Sequence, residues 1–198
     1  MKHSSIRELF EYWNERRGLR SAPERGDIEP GAIRRILADT FMLAFDGRAG
    51  HPFRIAGTRV CAAFGRELKG EAFVDLWAAE NQDLIRDILA IVAQETIGVV
   101  LSARGQRVAD KDAAGGTLDL EVLILPLNHR GRTNVRVVGA LAPVETPYWL
   151  GASALGPLTL GTHRYLDPGL TTEVPHPRPA LSSGHIRRGL VVYDGGQF

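Results

Sequence analysis

The stretch from Phe53 to Asp75, FRIAGTRVCAAFGRELKGEAFVD, constrains this chain more than any other. Phe53-Arg54-Ile55 is a short apolar strand that turns at Gly57-Thr58. Val60, Ala63 and Phe64 then fall on one side of a brief amphipathic helix. Gly65 and Gly70 cut the next residues into two short turns around Leu68, since glycine allows backbone reversals that a Cβ resists. A chain with this centre is a strand that gives way to compact helical pieces.

The flanks supply the rest of a sheet. Thr40–Phe45 reads as a strand, and Asp46-Gly47-Arg48-Ala49-Gly50 is turn chemistry leading back into Phe53–Ala56. Glu80–Thr96 is the clearest helix: Leu84/Ile85, Ile88/Leu89 and Ile91/Val92 recur at helical spacing, acids favour its first turn, and Gly98 ends it. Three strands come next, over about 98–108, 117–127 and 134–143, with a loop at Asp110–Gly116 and a hairpin turn at Asn128–Thr133. Leu118, Leu120, Val122 and Ile124 alternate with Asp119 and Glu121, which predicts one buried and one wet face. The order predicts an α+β fold on an antiparallel sheet.

Before the sheet, Ile6, Leu9, Phe10 and Trp13 form one helical stripe, widened by Tyr12. Ser5 and Glu8 have the spacing of a capping box, worth about 1 kcal/mol, and Gly18 suits a left-handed stop. Burying four such side chains contributes about 6–12 kcal/mol, so the stripe needs a cover: a second copy of the chain or the protein's own sheet. Pro30 suits a first helical position, with Ile33, Ile36 and Leu37 as a short apolar face. From Pro147 the chain becomes rich in proline, glycine and hydroxyls, and reads as an extended arm without a regular core. Ile186–Tyr193 is apolar again and suits a short docking strand.

Several segments resemble a family of stand-alone bacterial PAS proteins, PAS being a small sensory and interaction fold. Tyr12-Trp13 is followed by Arg17-Gly18, Pro23, Arg25, Asp27 and Pro30; then come Phe53-Arg54, Gly57-Thr58 and Gly65-Arg66-x-Leu68-x-Gly70, and finally Val191-Val192-Tyr193-Asp194-Gly195-Gly196. The resemblance implies a PAS-like five-stranded antiparallel sheet holding short helices on one face, often with a ligand pocket between them and with no catalytic motif. It divides the chain into an N-terminal helical segment (1–38), a PAS-like domain (39–145) and an extended C-terminal tail (146–198). Helices preceding such a core commonly pair with their copies, so the resemblance favours a homodimer through Ile6, Leu9, Phe10 and Trp13.

Lys and Arg total 24 against 23 acids, which gives no global field for a polyanion, and the paired arginines suit a solvated face. Nucleic acid is therefore not an expected partner. No apolar run is long enough to cross a bilayer, and the charged start does not suit a secretory signal. A single cysteine, Cys61, cannot form an intrachain disulfide and fits a reducing cytoplasm.

The chemistry-bearing residues point away from catalysis. Cys61 lies outside the motif of flavin-binding PAS domains and suits a buried filler. The long helix has no histidine for heme; His51 and His129 lie in turns, and His163, His176 and His185 are scattered beyond them without metal-ligand spacing. No cofactor or metal is expected. Asp119 and Glu121 share a strand face turned to water, and no phosphate loop or nucleophile elbow occurs. Phe64, Phe73 and Trp77 lead into the helix carrying Leu84 and Ile88. These residues, with Arg54 as a candidate anchor, line either a pocket for an apolar ligand or a filled core.

The sequence therefore predicts a cytoplasmic regulatory module in signal transduction, without catalytic residues, that binds a small apolar ligand, an unidentified signalling protein, or both. The alternative is a small cavity enzyme of isomerase or dehydratase type. A carboxylate or histidine inside the cavity would favour the enzyme, and an all-apolar lining the sensor.

Overall fold

The computed structural model describes residues 1–108, 116–129 and 132–166, together with the backbone of Ile186–Arg187 and Leu190–Val191. The first compact unit ends at Pro168. It begins with helix α1 (Ser4–Arg17), passes through irregular turns, and enters strands β1 (Thr40–Ala44) and β2 (Phe53–Ala56). Helix α2 (Thr58–Ala63), a 3₁₀ turn at Phe73–Leu76 and helix α3 (Ala79–Gln94) come next. The chain closes with β3 (Gly98–Arg107), β4 (Thr117–His129), β5 (Arg132–Pro143) and β6 (Leu155–Leu166). These six strands form one antiparallel sheet in the order β2-β1-β5-β4-β3-β6.

The five expected strands are present, and a sixth is added where a coreless arm was expected. β6 overturns that part of the reading: Leu155 and Leu158 are buried against the sheet core despite the surrounding glycines and prolines. Its outer edge also carries the start of α3, through Ala78 N–H to the Leu158 carbonyl (2.8 Å) and Leu160 N–H to Asn81 Oδ1 (3.0 Å). A proline-rich composition thus lowers strand propensity without forbidding an edge strand. In the second unit, Gly169–Phe198, Ile186–Arg187 and Leu190–Val191 pair as two antiparallel strands, β7 and β8. The loop expected at 110–115, the hairpin tip, His176 and His185 lie outside the described residues.

The central strands are buried on both faces. On one face, Leu120, Val122 and Ile124 of β4 and Val137 and Leu141 of β5 meet Ile85, Ile88, Leu89 and Val92 of α3. On the other, Leu123, Leu125 and Leu127 of β4 and Val138, Ala140 and Ala142 of β5 meet Ile6, Leu9 and Trp13 of α1. This corrects the expectation that β4 has a wet face, and it puts α1 on the face opposite the short helices. Of the two carboxylates placed in water, Asp119 is exposed and pairs with Arg104 (2.7 Å), whereas Glu121 is buried beneath the start of α1.

The α1 stripe is therefore covered by the protein's own sheet. Ile6, Leu9 and Trp13 are buried, and the Trp13 indole N–H donates to the buried Pro126 carbonyl at 2.8 Å. Phe10 is half-buried and stacks on Trp13 with ring centres 6.4 Å apart. The stripe offers no free apolar face for a second copy, which corrects the dimer-helix expectation; a copy would have to use another surface. The expected capping box is also replaced: His3 Nδ1 accepts from Ser5 N–H (3.1 Å), and the Ser5 hydroxyl turns inward instead. Ile33 and Ile36 are buried as expected, on turns rather than a helix. Among the described residues no helix is long and apolar enough to cross a membrane.

Trp13→Ala should cost about 3–5 kcal/mol in urea unfolding, because it opens a buried cavity and orphans a carbonyl. Deleting residues 1–17 should leave a species that aggregates or binds a hydrophobic dye. A well-folded, soluble truncation with unchanged stability would show that α1 is not part of the core.

Candidate functional site

Between the sheet and the α2–α3 layer lies a group of aromatic rings. Phe41 on β1, Phe53 on β2 and Phe73 at the 3₁₀ turn form a triangle with centroid separations of 5.7, 5.5 and 5.7 Å. Trp77 extends it, with its centroid 6.0 Å from Phe73 in an edge-on arrangement. All four side chains are 1–2 % exposed. Such tilted and offset contacts suit ring quadrupoles and add about 0.5–1.5 kcal/mol per pair beyond burial.

Backbone sterics set where these rings lie. Phe41 pairs directly opposite Gly139 of β5, and a methyl at Gly139 would overlap both the Phe41 ring and the Leu123 carbonyl. The missing Cβ is what lets the ring lie down on the neighbouring strand. Gly57 plays a similar part at the head of α2, where a Cβ would overlap the carbonyls of Leu37 and Ala38. Its N–H donates to the Thr40 carbonyl at 2.8 Å, so α2 is held directly against the entrance to β1. Gly65 and Gly70 have φ of 64° and 89°, the reversals expected of them.

Of the six residues expected around a pocket, the structure brings four together. Phe64, Phe73, Trp77 and Ile88 are buried in one core. Leu84 is 43 % exposed and Arg54 is exposed on β2, so neither lines that interior. The interior is occupied by the protein's own rings, and one polar atom stands out in it: Trp77 Nε1 is buried and has no hydrogen-bond partner. At the rim, Phe64, Leu76, Leu155 and Pro157 border an open groove of about 260 Å³, with Arg66 and Asp75 at its side.

Two features went unseen in the sequence. The first is Asp39, 2 % exposed, where the α1 layer meets the core. It accepts from the Ser5 hydroxyl (2.6 Å) and from the Arg59 guanidinium (2.7 Å to Oδ2), joining α1, the entrance to β1 and α2 through one carboxylate. Burial pushes this carboxyl up, but the Arg59 and Ser5 hydrogen bonds and the Arg59 charge outweigh it and hold it below the usual range. The second is His51, which the sequence places in a turn and which is 3 % exposed. Cys61 is half-buried against the core, and burial raises its thiol above the ordinary range, which suits packing rather than nucleophilic attack. Among the described residues no group of His, Cys, Asp and Glu could hold a metal ion.

A family model described as PAS domain matches residues 1–142. The chain belongs to the PAS domain family. No curated protein and no solved structure gives a significant match. The matched PAS segment includes α1 and ends within β5, so β6 lies beyond it.

Because the Asp39 carboxyl is more acidic in the folded than in the unfolded chain, it contributes stability above the ordinary carboxylate range. That contribution is lost as pH falls through its folded pKa. Asp39→Ala should destabilise the protein by about 1–3 kcal/mol at neutral pH, chiefly through the buried Ser5 hydroxyl left without its acceptor. Its deficit relative to wild type should shrink in acid, as measured by urea unfolding at a series of pH values. A pH-independent deficit would show that the carboxylate charge is not what matters.

Proposed function

We propose that this PAS protein is a regulatory module in signal transduction that works by associating with a partner protein rather than by catalysis. The observation that carries the reading is the filled interior of a family known for sensing and interaction. Phe41, Phe53, Phe73 and Trp77 take the space a ligand would occupy. The buried carboxylates give no support to the enzyme alternative. Asp39 is engaged by Ser5 and Arg59, and Glu121 accepts the backbone N–H groups of Lys2 (2.8 Å) and His3 (2.9 Å). Both are tied up in contacts that hold α1 to the sheet and to α2. A single cysteine, which cannot pair within the chain, fits a cytoplasmic setting.

A second reading, a small apolar ligand carrying one hydrogen-bond acceptor, is favoured by a single atom. A buried indole N–H without a partner costs about 1–3 kcal/mol, and an acceptor on a ligand at Trp77 Nε1 would recover it. Such a ligand would have to displace an aromatic ring.

Native mass spectrometry of the purified protein separates the two readings. The association reading expects the mass of the chain, or multiples of it, with no small-molecule adduct. An adduct of fixed mass, lost on denaturation and absent from Trp77→Phe, would establish the ligand instead. Phe73→Ala provides the complementary check. It should cost about 3–5 kcal/mol and create a site where saturating toluene raises the melting temperature by a few degrees, while wild type shows no shift. A toluene-stabilised wild type would mean that the interior is not filled.

A further inference from the structure

We infer that His51 is a proton-operated latch, holding the β1–β2 turn onto the Phe73–Leu76 turn while its imidazole is neutral and releasing it when the imidazole is charged. The first support is backbone geometry. His51 has φ of 59°, in the left-handed region that side chains other than glycine seldom adopt, and it directly follows Gly50 at φ of 64°. Strain of this kind persists only where the surroundings over-determine it, and it is often associated with switching segments.

The second support is the chemistry of the buried ring. The side chain lies against Phe45 with ring centres 4.7 Å apart. Its Nδ1 is buried and makes no hydrogen bond. A neutral imidazole can leave that nitrogen as a bare acceptor, a modest cost. A charged imidazole carries a proton on both nitrogens, so Nδ1 becomes a cationic donor with no acceptor, which is far more costly. Two charged groups bear on the ring. Asp46 in its own turn favours the charged form, and Arg86 of α3 opposes it. Burial outweighs Asp46, so the ring stays less basic than an exposed histidine.

The third support is what the turn holds. The His51 carbonyl accepts from Phe73 N–H (3.3 Å), the Gly50 carbonyl accepts from Val74 N–H (3.2 Å), and Pro52 bridges to Ala72. Gly50 sits so close to Ala72 that a Cβ there would lie 2.8 Å from the alanine methyl. Expelling the His51 ring therefore loosens the segment that positions Phe73 and Trp77 and feeds into α3. Linkage gives the sign. A histidine less basic in the folded state contributes stability above its unfolded pKa of about 6.5, and loses it as pH falls below that value. This property is independent of whether the protein acts through a partner or a ligand.

The test is hydrogen exchange read by mass spectrometry at pH of about 7.5 and about 5.5, corrected for intrinsic exchange. Peptides covering 46–52 and 71–77 should open at least about threefold more at the lower pH, with a ceiling near tenfold over this interval for one proton whose open-state pKa is about 6.5. Peptides of β4 should not change. His51→Asn, which tolerates the left-handed backbone but cannot titrate, should abolish the rise. His163→Gln, which removes the other described imidazole made less basic by burial, should preserve it. Equal protection at both pH values, or the same rise in His51→Asn, would overturn the latch. Should His51→Asn fail to fold, a ring titration of wild type by NMR decides. A depressed pKa that coincides with turn opening supports the latch, and an ordinary exposed-histidine pKa with the turn still closed overturns it.

Discussion

Burial of β4 and β5 on both faces is the constraint on which the rest of this structure depends. An antiparallel sheet ordinarily leaves one face to water. Here α3 covers one side and α1 the other, and both sets of alternating positions in β4 are apolar from Val122 to Leu127. Neither layer is an accessory to the other. Without α1, Leu123, Leu125, Leu127 and Val138 would form an exposed patch in the middle of the sheet. The family match beginning at residue 1 agrees with that dependence.

A two-layered cover needs the layers in register, and polar groups provide it where apolar packing is indifferent to small sliding. Asp39 receives Ser5 from one layer and Arg59 from the other, while Glu121 receives the backbone N–H groups of Lys2 and His3 at the start of α1. Trp13 fixes the far end of the helix by its bond to the Pro126 carbonyl. Each bond is directional and buried or partly buried, so a shift of about one turn would leave several groups unsatisfied. Apolar burial supplies most of the stability here, and these contacts select one placement of α1 from many of similar burial.

Local periodicity made much of this legible. The strand cores, α3, the pieces around Leu68 and the burial of Phe64, Phe73, Trp77 and Ile88 all follow from spacing and turn residues. The placement of α1 did not, because a stripe such as Ile6, Leu9 and Trp13 states that a cover is needed without stating which. The run Val122–Leu127 held the answer. Its apolar residues at consecutive positions are the mark of a strand buried on both sides, whereas the alternation at Leu118–Val122 alone suggested a wet face. β6 was hidden by its own glycines and proline. Asp39 and His51 were hidden for a different reason: burial of a single polar residue depends on contacts such as Ser5 to Asp39, 34 positions apart, which no local pattern records.

In a sheet sealed on both faces, central strands cannot move without exposing two cores at once, so conformational freedom is confined to the periphery. The β1–β2 turn and the Ala72–Trp77 segment are such a periphery. They are joined by a few backbone hydrogen bonds of 3.2–3.3 Å and by side chains packed on the outer part of the sheet. Yet Phe73 reaches from this segment to the rings of Phe41 and Phe53 on the two outer strands, and Trp77 stands shortly before α3. On the sheet side the Phe41 ring is confined at Gly139, where the Leu123 carbonyl and the ring itself leave no room for a further carbon. If the turn opens as inferred from His51, Phe73 and Trp77, which lie on the segment bonded to it and lead into α3, are the groups it reaches first.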